Sequence, residues 1–173
     1  MNLFVLDKCP KKSAELMCDK HVVKMILEVA QMLSTAHREF ESKIVTDTCL
    51  LYKKTHLNHP STIWVRTTGA NYLWTYAHFV ALCDEYTKRY GKVHLSETKL
   101  KKLLSHVPCV LHKAIDVKNL TIPPLCMPEE YYIKNRQQPK SWKECVLSYQ
   151  AYYKGAKAYM ATYKFTNTPK FLK

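Results

Sequence analysis

The sequence predicts an all-α protein: one compact helical domain spanning residues 1–173, with a short extended segment at its N-terminus. Two observations carry this. Only three glycines occur in 173 residues while Lys, Leu, Ala and Tyr are abundant, a composition that favours helices over a β-sandwich or a doubly wound sheet. Two long stretches, 13–40 and 60–90, repeat apolar residues at the helical period. A hydrophobic content of 47% supplies one sizeable core and argues against disorder.

The elements follow in order. Asn2 to Leu6 is a short apolar segment, extended or packed against the body. Pro10 stops it, and Ser13 is placed to cap a helix over 13–40. That helix is broken near Cys18-Asp19, where Asp19 is a second cap candidate. Its apolar side carries Val22, Val23, Ile26, Val29, Ala30 and Leu33. Residues 41–58 are polar and mixed, including Thr46-Asp47-Thr48, and read as a loop or short helix. Pro60 suits the first turn of the next helix. Gly69 divides the stretch 60–90 in two, and Gly91 is a C-cap. Ser96 and Lys99 to Leu104 form a short basic helix. From Val107 to Pro128 the prolines at 108, 123, 124 and 128 and the lack of periodicity predict a packed loop. Ser141 caps a final helix running to about Tyr163, and a tail follows from Phe165. No internal repeat and no linker divides the chain.

Lys and Arg number 27 against 14 Asp and Glu, a net charge of +13. Such a balance points to a polyanion, DNA or RNA, and less to an anionic membrane surface. No run of 18 apolar residues exists, so nothing spans a membrane. Met1 to Asp7 has no basic flank and only four consecutive apolar residues, unlike a signal peptide. An intracellular protein is expected, in host cytoplasm or nucleus if the chain is viral. The seven cysteines contain no CxxC pair, so reduced thiols acting as small hydrophobes are the default. Cys9, Cys18 and His21 make at most a partial metal shell. No metal and no cofactor is expected.

The densest chemistry lies in Cys18 to Glu28. On a helix, His21, Lys24, Glu28, Gln31 and Thr35 share one narrow polar stripe that would line a cleft. An acid, a base and a cation thus sit together on a core-forming helix, although a solvated helix face with a Lys24–Glu28 ion pair is the bland alternative. Asn58-His59-Pro60 is the second site. His59 precedes a helix start, Trp64 offers a ring for stacking and Arg66 a guanidinium for phosphate. A capping histidine and a core tryptophan would look the same. Third is Tyr149 to Tyr159, where Tyr152, Tyr153, Lys154 and Lys157 interleave rings for bases with ammoniums for phosphates. Tyrosines packed inward above a lysine face fit equally. The segment Pro124 to Tyr132, with Glu129 and Glu130, reads as a structural loop.

Three pieces together resemble the phage-type pyrimidine dimer DNA glycosylases, also called endonuclease V. Asp19-Lys20-His21, with Glu28 seven residues after the histidine, is similar to that family's N-terminal helix and catalytic glutamate. His59-Pro60, leading into the helix that ends Glu85-Tyr86-Thr87-Lys88-Arg89-Tyr90-Gly91, is similar to its central helix. Trp142 and Tyr152-Tyr153-Lys154-Gly155-Ala156-Lys157-Ala158-Tyr159 are similar to its aromatic, lysine-bearing C-terminal segment. The chain also resembles uncharacterised proteins of phages and large DNA viruses.

The resemblance implies a small helical repair enzyme acting on a base or abasic sugar in duplex DNA, damaged or modified, as a monomer. It implies that the chain's α-amine attacks C1′ to form a Schiff base, that Glu28 assists, and that β-elimination nicks the strand. A free α-amine is partly unprotonated near neutrality, as a nucleophile must be. His21 would be a catalytic or DNA contact. Two positions differ from the family pattern. Asn2 is too large for efficient removal of Met1, so the amine would belong to Met1. Leu27 stands where the family has an arginine. The alternatives are a non-catalytic nucleic-acid-binding protein, or a DNA-base-modifying or metal-dependent enzyme using His21, Glu28 and His59.

Overall fold

The computed structural model describes residues 1–41, 50–112, 119–134 and 137–173. Among these residues there are seven α-helices, a few short 3-10 and π turns, and no strand. Of the expected irregular stretches, residues 42–49 (with Thr46-Asp47-Thr48) and 113–118 lie outside the described residues.

Helix α1 is Pro10–Glu15, with Pro10 in its first turn. Pro10 therefore opens a helix rather than merely ending the apolar segment. Ser13 lies inside α1 and is not its cap. Its hydroxyl accepts from the Leu6 N–H at 3.0 Å and donates to the Phe4 carbonyl at 3.4 Å, pinning the N-terminal segment to the helix. Helix α2, Asp19–Phe40, begins at the expected break, with Cys18 at its N-cap and Asp19, the expected cap, as its first helical residue. Short helix α3, Pro60–Val65, and long helix α4, Gly69–Tyr90, are separated at Gly69 as expected. The Thr68 hydroxyl accepts from the Asn71 N–H, and Gly91 ends α4 at φ 64, a left-handed conformation that a side chain would strain. Helix α5 is Leu95–Leu104 and α6 is Cys109–His112.

Helix α7, Trp142–Tyr152, starts at a Ser141 hydroxyl that accepts from the Glu144 N–H. It ends earlier than periodicity suggests. A π turn over Tyr153–Lys157 and a 3-10 turn over Ala158–Met160 replace its expected last turns. Gly155 explains part of this, since glycine weakens a helix interior. The Tyr131 ring also lies where a Cβ on residue 155 would have to go.

Helices α2 and α4 form the central pair. Helix α1 packs on α4, and α3 and α5 pack on α2. Between them lie Val22, Ile26, Val29 and Leu33 of α2, Tyr72, Phe79 and Leu82 of α4, Leu100 and Leu104 of α5, and Tyr149 of α7, all fully buried. Val23, expected on this apolar side, is 39% exposed. The apolar arc of α2 is narrower than composition suggested. Charged residues also enter the core: Asp19, Glu85 and, at the end of α4, Arg89. Its Nε donates to Glu85 at 2.9 Å, its Nη1 to the Met17 carbonyl at 2.8 Å and to Asp19 at 3.2 Å, and its Nη2 to the Glu15 carbonyl at 3.1 Å. The α1–α2 bend is thereby tied to α4, with every charge-bearing nitrogen paired. Among the described residues no helix is long and apolar enough to cross a membrane.

Candidate active site at the N-terminal amine

The N-terminal segment is held deep in the fold. Leu3, Val5 and Leu6 are buried. Gln150 of α7 donates to the Leu6 carbonyl at 3.0 Å. Ahead of them Asn2 folds the backbone into a turn. Its Oδ1 accepts from the N–H groups of Leu3 at 2.7 Å and Phe4 at 3.1 Å, and its Nδ2 donates to the Cys126 carbonyl at 2.8 Å. Asparagine forms such side-chain turns readily. The turn continues into Phe4, whose φ of 47 is uncommon for a residue with a side chain.

This geometry delivers the first two nitrogens of the chain to one carboxylate. The Asn2 backbone N–H donates to Glu28 Oε2 at 3.1 Å, and the Met1 amine stands 3.7 Å from the same oxygen. The other oxygen, Oε1, pairs with Lys24 Nζ at 3.1 Å. The Glu28 side chain is 13% exposed and that of Lys24 is 69% exposed, so the site opens to solvent on the lysine side. A primary amine beside a carboxylate that can take or return a proton is an arrangement able to serve as a nucleophile with an acid/base partner.

His59 lies close enough to this pair to feel the charge of each. It caps α3, with Nδ1 accepting from the Ser61 N–H at 3.2 Å, so the neutral ring carries its proton on Nε2. Burial lowers its pKa, the charges of the Met1 amine and His56 lower it further, and Glu28 opposes them. The Ser61 hydroxyl meets the Cys126 thiol at 3.2 Å. Burial pushes that thiol's pKa up, against the effect of its contact with Ser61. Asn2, Ser61 and Cys126 were not legible as site residues. The one available signal was a polar Asn2 heading an apolar run.

The remaining expected site residues fall elsewhere. His21 is only 5% exposed. It packs on the Phe4 ring at 4.4 Å, and its Nδ1 meets the Tyr153 hydroxyl at 2.7 Å. Tyr153 is fully buried, and its oxygen also accepts from the Cys18 N–H at 3.0 Å. Neither ring has a face for DNA here, a correction to the expected roles of His21 and Tyr153. Both side chains bury an apolar ring around one polar tip, and two tips that satisfy each other need no water.

Tyr152 and Lys157 are half-buried, and Lys154 is exposed. Lys157 Nζ lies 4.9 Å above the Tyr152 ring. That ring stacks on Phe4 at 6.1 Å and packs against Tyr131 at 5.1 Å. The aromatic and basic C-terminal run thus abuts the N-terminal segment. Trp64 is nearly buried. It reaches a cleft of about 400 Å³ with Pro60, Ile63, Thr67, Ile122 and Pro123, and packs edge-on to Trp74. Arg66 is half-buried at the C-cap of α3. Among the described residues no three His, Cys, Asp or Glu side chains are grouped to hold a metal ion.

Comparison with known proteins gives one match. A family profile described as pyrimidine dimer DNA glycosylase matches residues 1–98. No curated protein and no solved structure matches the chain. The matched stretch contains Met1, Asn2, Lys24, Glu28, His59 and Ser61. Cys126 and the C-terminal tyrosines lie beyond it.

Proposed function

Because the chain belongs to the pyrimidine dimer DNA glycosylase family, with the DNA-glycosylase type of function and the DNA partner that this brings, we propose that it excises a damaged base and nicks the abasic sugar with the Met1 amine as nucleophile and Glu28 as acid/base partner. The amine nitrogen attacks C1′. The bond from C1′ to the base breaks with its electron pair leaving on the base, which takes up a proton. The sugar ring opens to give an imine between Met1 and C1′. Glu28 moves the protons for these steps, then helps remove one from C2′. The electron pair freed there expels the 3′ phosphate oxygen and cleaves the strand. Reaching C1′ requires a nucleotide drawn out of the stack.

The observation that carries this reading is the placement of the Met1 amine and the Asn2 N–H on one oxygen of Glu28, 3.7 and 3.1 Å away. His59, with its proton on Nε2, and Lys24 lie close to this pair and would contact phosphate or sugar. The Tyr152 ring lies on Phe4 with Lys157 above it, and together with the exposed Lys154 these would hold a base and the DNA backbone. Arg66 and the Trp64 edge would extend that surface along α3. The protein would act as a monomer.

Borohydride trapping tests it. Incubation with duplex DNA carrying an abasic site or a pyrimidine dimer should give a covalent adduct whose peptide map places the DNA on Met1. Prior acetylation of the α-amine should abolish it. An adduct mapped to Lys24 would overturn the choice of nucleophile. Salt-dependent binding with neither adduct nor nicking would make the protein a binding module.

A further inference from the structure

Resting on the amine chemistry proposed above, we infer that Asn2 is a positioning residue of this site, whose side chain holds the first four residues in the turn that aims the Met1 amine at Glu28. Both polar side-chain atoms of Asn2 and its backbone N–H are engaged. Oδ1 takes two backbone N–H groups, Nδ2 spans 124 residues of chain to the Cys126 carbonyl, and the backbone N–H is on Glu28 itself. The residue is 7% exposed, and an asparagine buried that far stays put only if its groups are satisfied. Other side chains anchor the ends of this turn: Glu28 takes the Asn2 N–H, and the Ser13 hydroxyl holds the chain from the Phe4 carbonyl onward. Without the turn, the Leu3 and Phe4 N–H groups lose their acceptor, the left-handed Phe4 loses the contact that over-determines it, and the amine is no longer fixed 3.7 Å from the carboxylate.

A side chain as large as that of Asn2 favours retention of Met1, whose amine is then the one beside Glu28. The Met1 side chain is itself buried, so the retained residue is seated rather than dangling.

The test compares the wild type with Asn2→Leu and Asn2→Asp, both large enough to retain Met1, in single-turnover borohydride trapping on abasic duplex DNA. Asn2→Leu keeps the approximate size and removes both polar side-chain atoms, leaving the backbone N–H to Glu28. It should lower the trapping rate by about tenfold or more with DNA affinity unchanged, since misplacing reacting groups by about an ångström costs on the order of 10²-fold. Asn2→Asp restores an acceptor for the Leu3 and Phe4 N–H groups. It should recover most of the rate and shift its pH dependence upward. The amine would then face two carboxylates, Asp at position 2 and Glu28, with Lys24, His59 and Cys126 unchanged around it. Asn2→Leu trapping as fast as wild type overturns the inference. So does a folded Asn2→Asp as slow as Asn2→Leu with no pH shift. If Asn2→Leu fails to fold, as its melting curve would tell, the rate and pH profile of Asn2→Asp decide. Failure of the two ideas is separable. A wild type that never forms an adduct refutes the amine chemistry, whereas equal trapping by wild type and Asn2→Leu refutes only the part given to Asn2.

Discussion

The His21 imidazole and the Tyr153 phenol meet at 2.7 Å across 132 residues of chain. The Cys18 N–H donates to the same phenol oxygen, and the phenol reaches the Cys18 thiol at 3.4 Å. The start of α2 and the turn after α7 are thereby joined through one buried hydroxyl.

Acid should weaken the fold through this pair. Burial, then the charges of Lys157 and Lys24, lower the His21 pKa from 6.5 to about 4, with Glu28 opposing. Burial likewise lowers that of His78, which donates to the Pro10 carbonyl, to about 4. Both folded-state values lie below the unfolded one, so the unfolded chain binds protons that the native state refuses. Stability is full above pH 6.5 and falls as pH drops towards 4, by up to roughly 3 kcal/mol for each imidazole. Urea unfolding at pH 7 and pH 5 should show the loss, and His21→Phe should shrink it. An equal loss in His21→Phe would refute the assignment.

Glu28→Gln should separate binding from chemistry. The amide still accepts the Asn2 N–H but cannot carry a proton. We expect the single-turnover rate to fall on the order of 10²–10⁴-fold, with affinity for abasic duplex DNA nearly intact. A rate within the wild-type range would remove Glu28 from the mechanism.

Tyr152 and Tyr153 are neighbours with opposite expectations. Tyr152→Ala should weaken DNA binding by about 1–3 kcal/mol through lost stacking. Lys157→Ala should flatten the salt dependence of binding by about 0.9 in log–log slope, one phosphate contact. Tyr153→Phe should leave both untouched while costing about 1–3 kcal/mol of stability, because the Cys18 N–H loses its acceptor. Salt titrations of affinity together with thermal melts read all three. Weakened DNA binding in Tyr153→Phe would return that residue to the interface.

Arg89→Met should be among the most damaging single changes away from the site. It leaves Glu85 and Asp19 with a lost partner and two backbone carbonyls unpaired, a cost of about 3–5 kcal/mol. Denaturant midpoints will show it. A variant as stable as wild type would mean that the buried charges offset one another less than their geometry indicates.

Local signals were legible in sequence and distant ones were not. Pro60, Gly69, Gly91 and Ser141 act at their own positions, so their effect on helix ends can be read without the rest of the chain. Glu28 stood out because helical spacing alone puts it beside Lys24. Asn2, Ser61 and Cys126 could not be read together, since what joins them is contact across 65 to 124 residues. His21 and Tyr153 were misplaced for a related reason. A polar atom buried against a distant partner looks, in sequence, like one meant for water. Ser13, read as a cap, turned inward to bind the Leu6 N–H for the same reason.

The N-terminal segment is clasped by Cys126, Gln150 and, through Cys18, Tyr153. All three lie beyond the stretch that the family profile covers. A ribosome releases the first thirty residues long before these three. The amine and Glu28 are thus made first and brought together last. Until α7 emerges, the newborn chain holds the candidate amine without the frame that directs it, and its apolar residues Leu3 to Leu6 stay open to other chains.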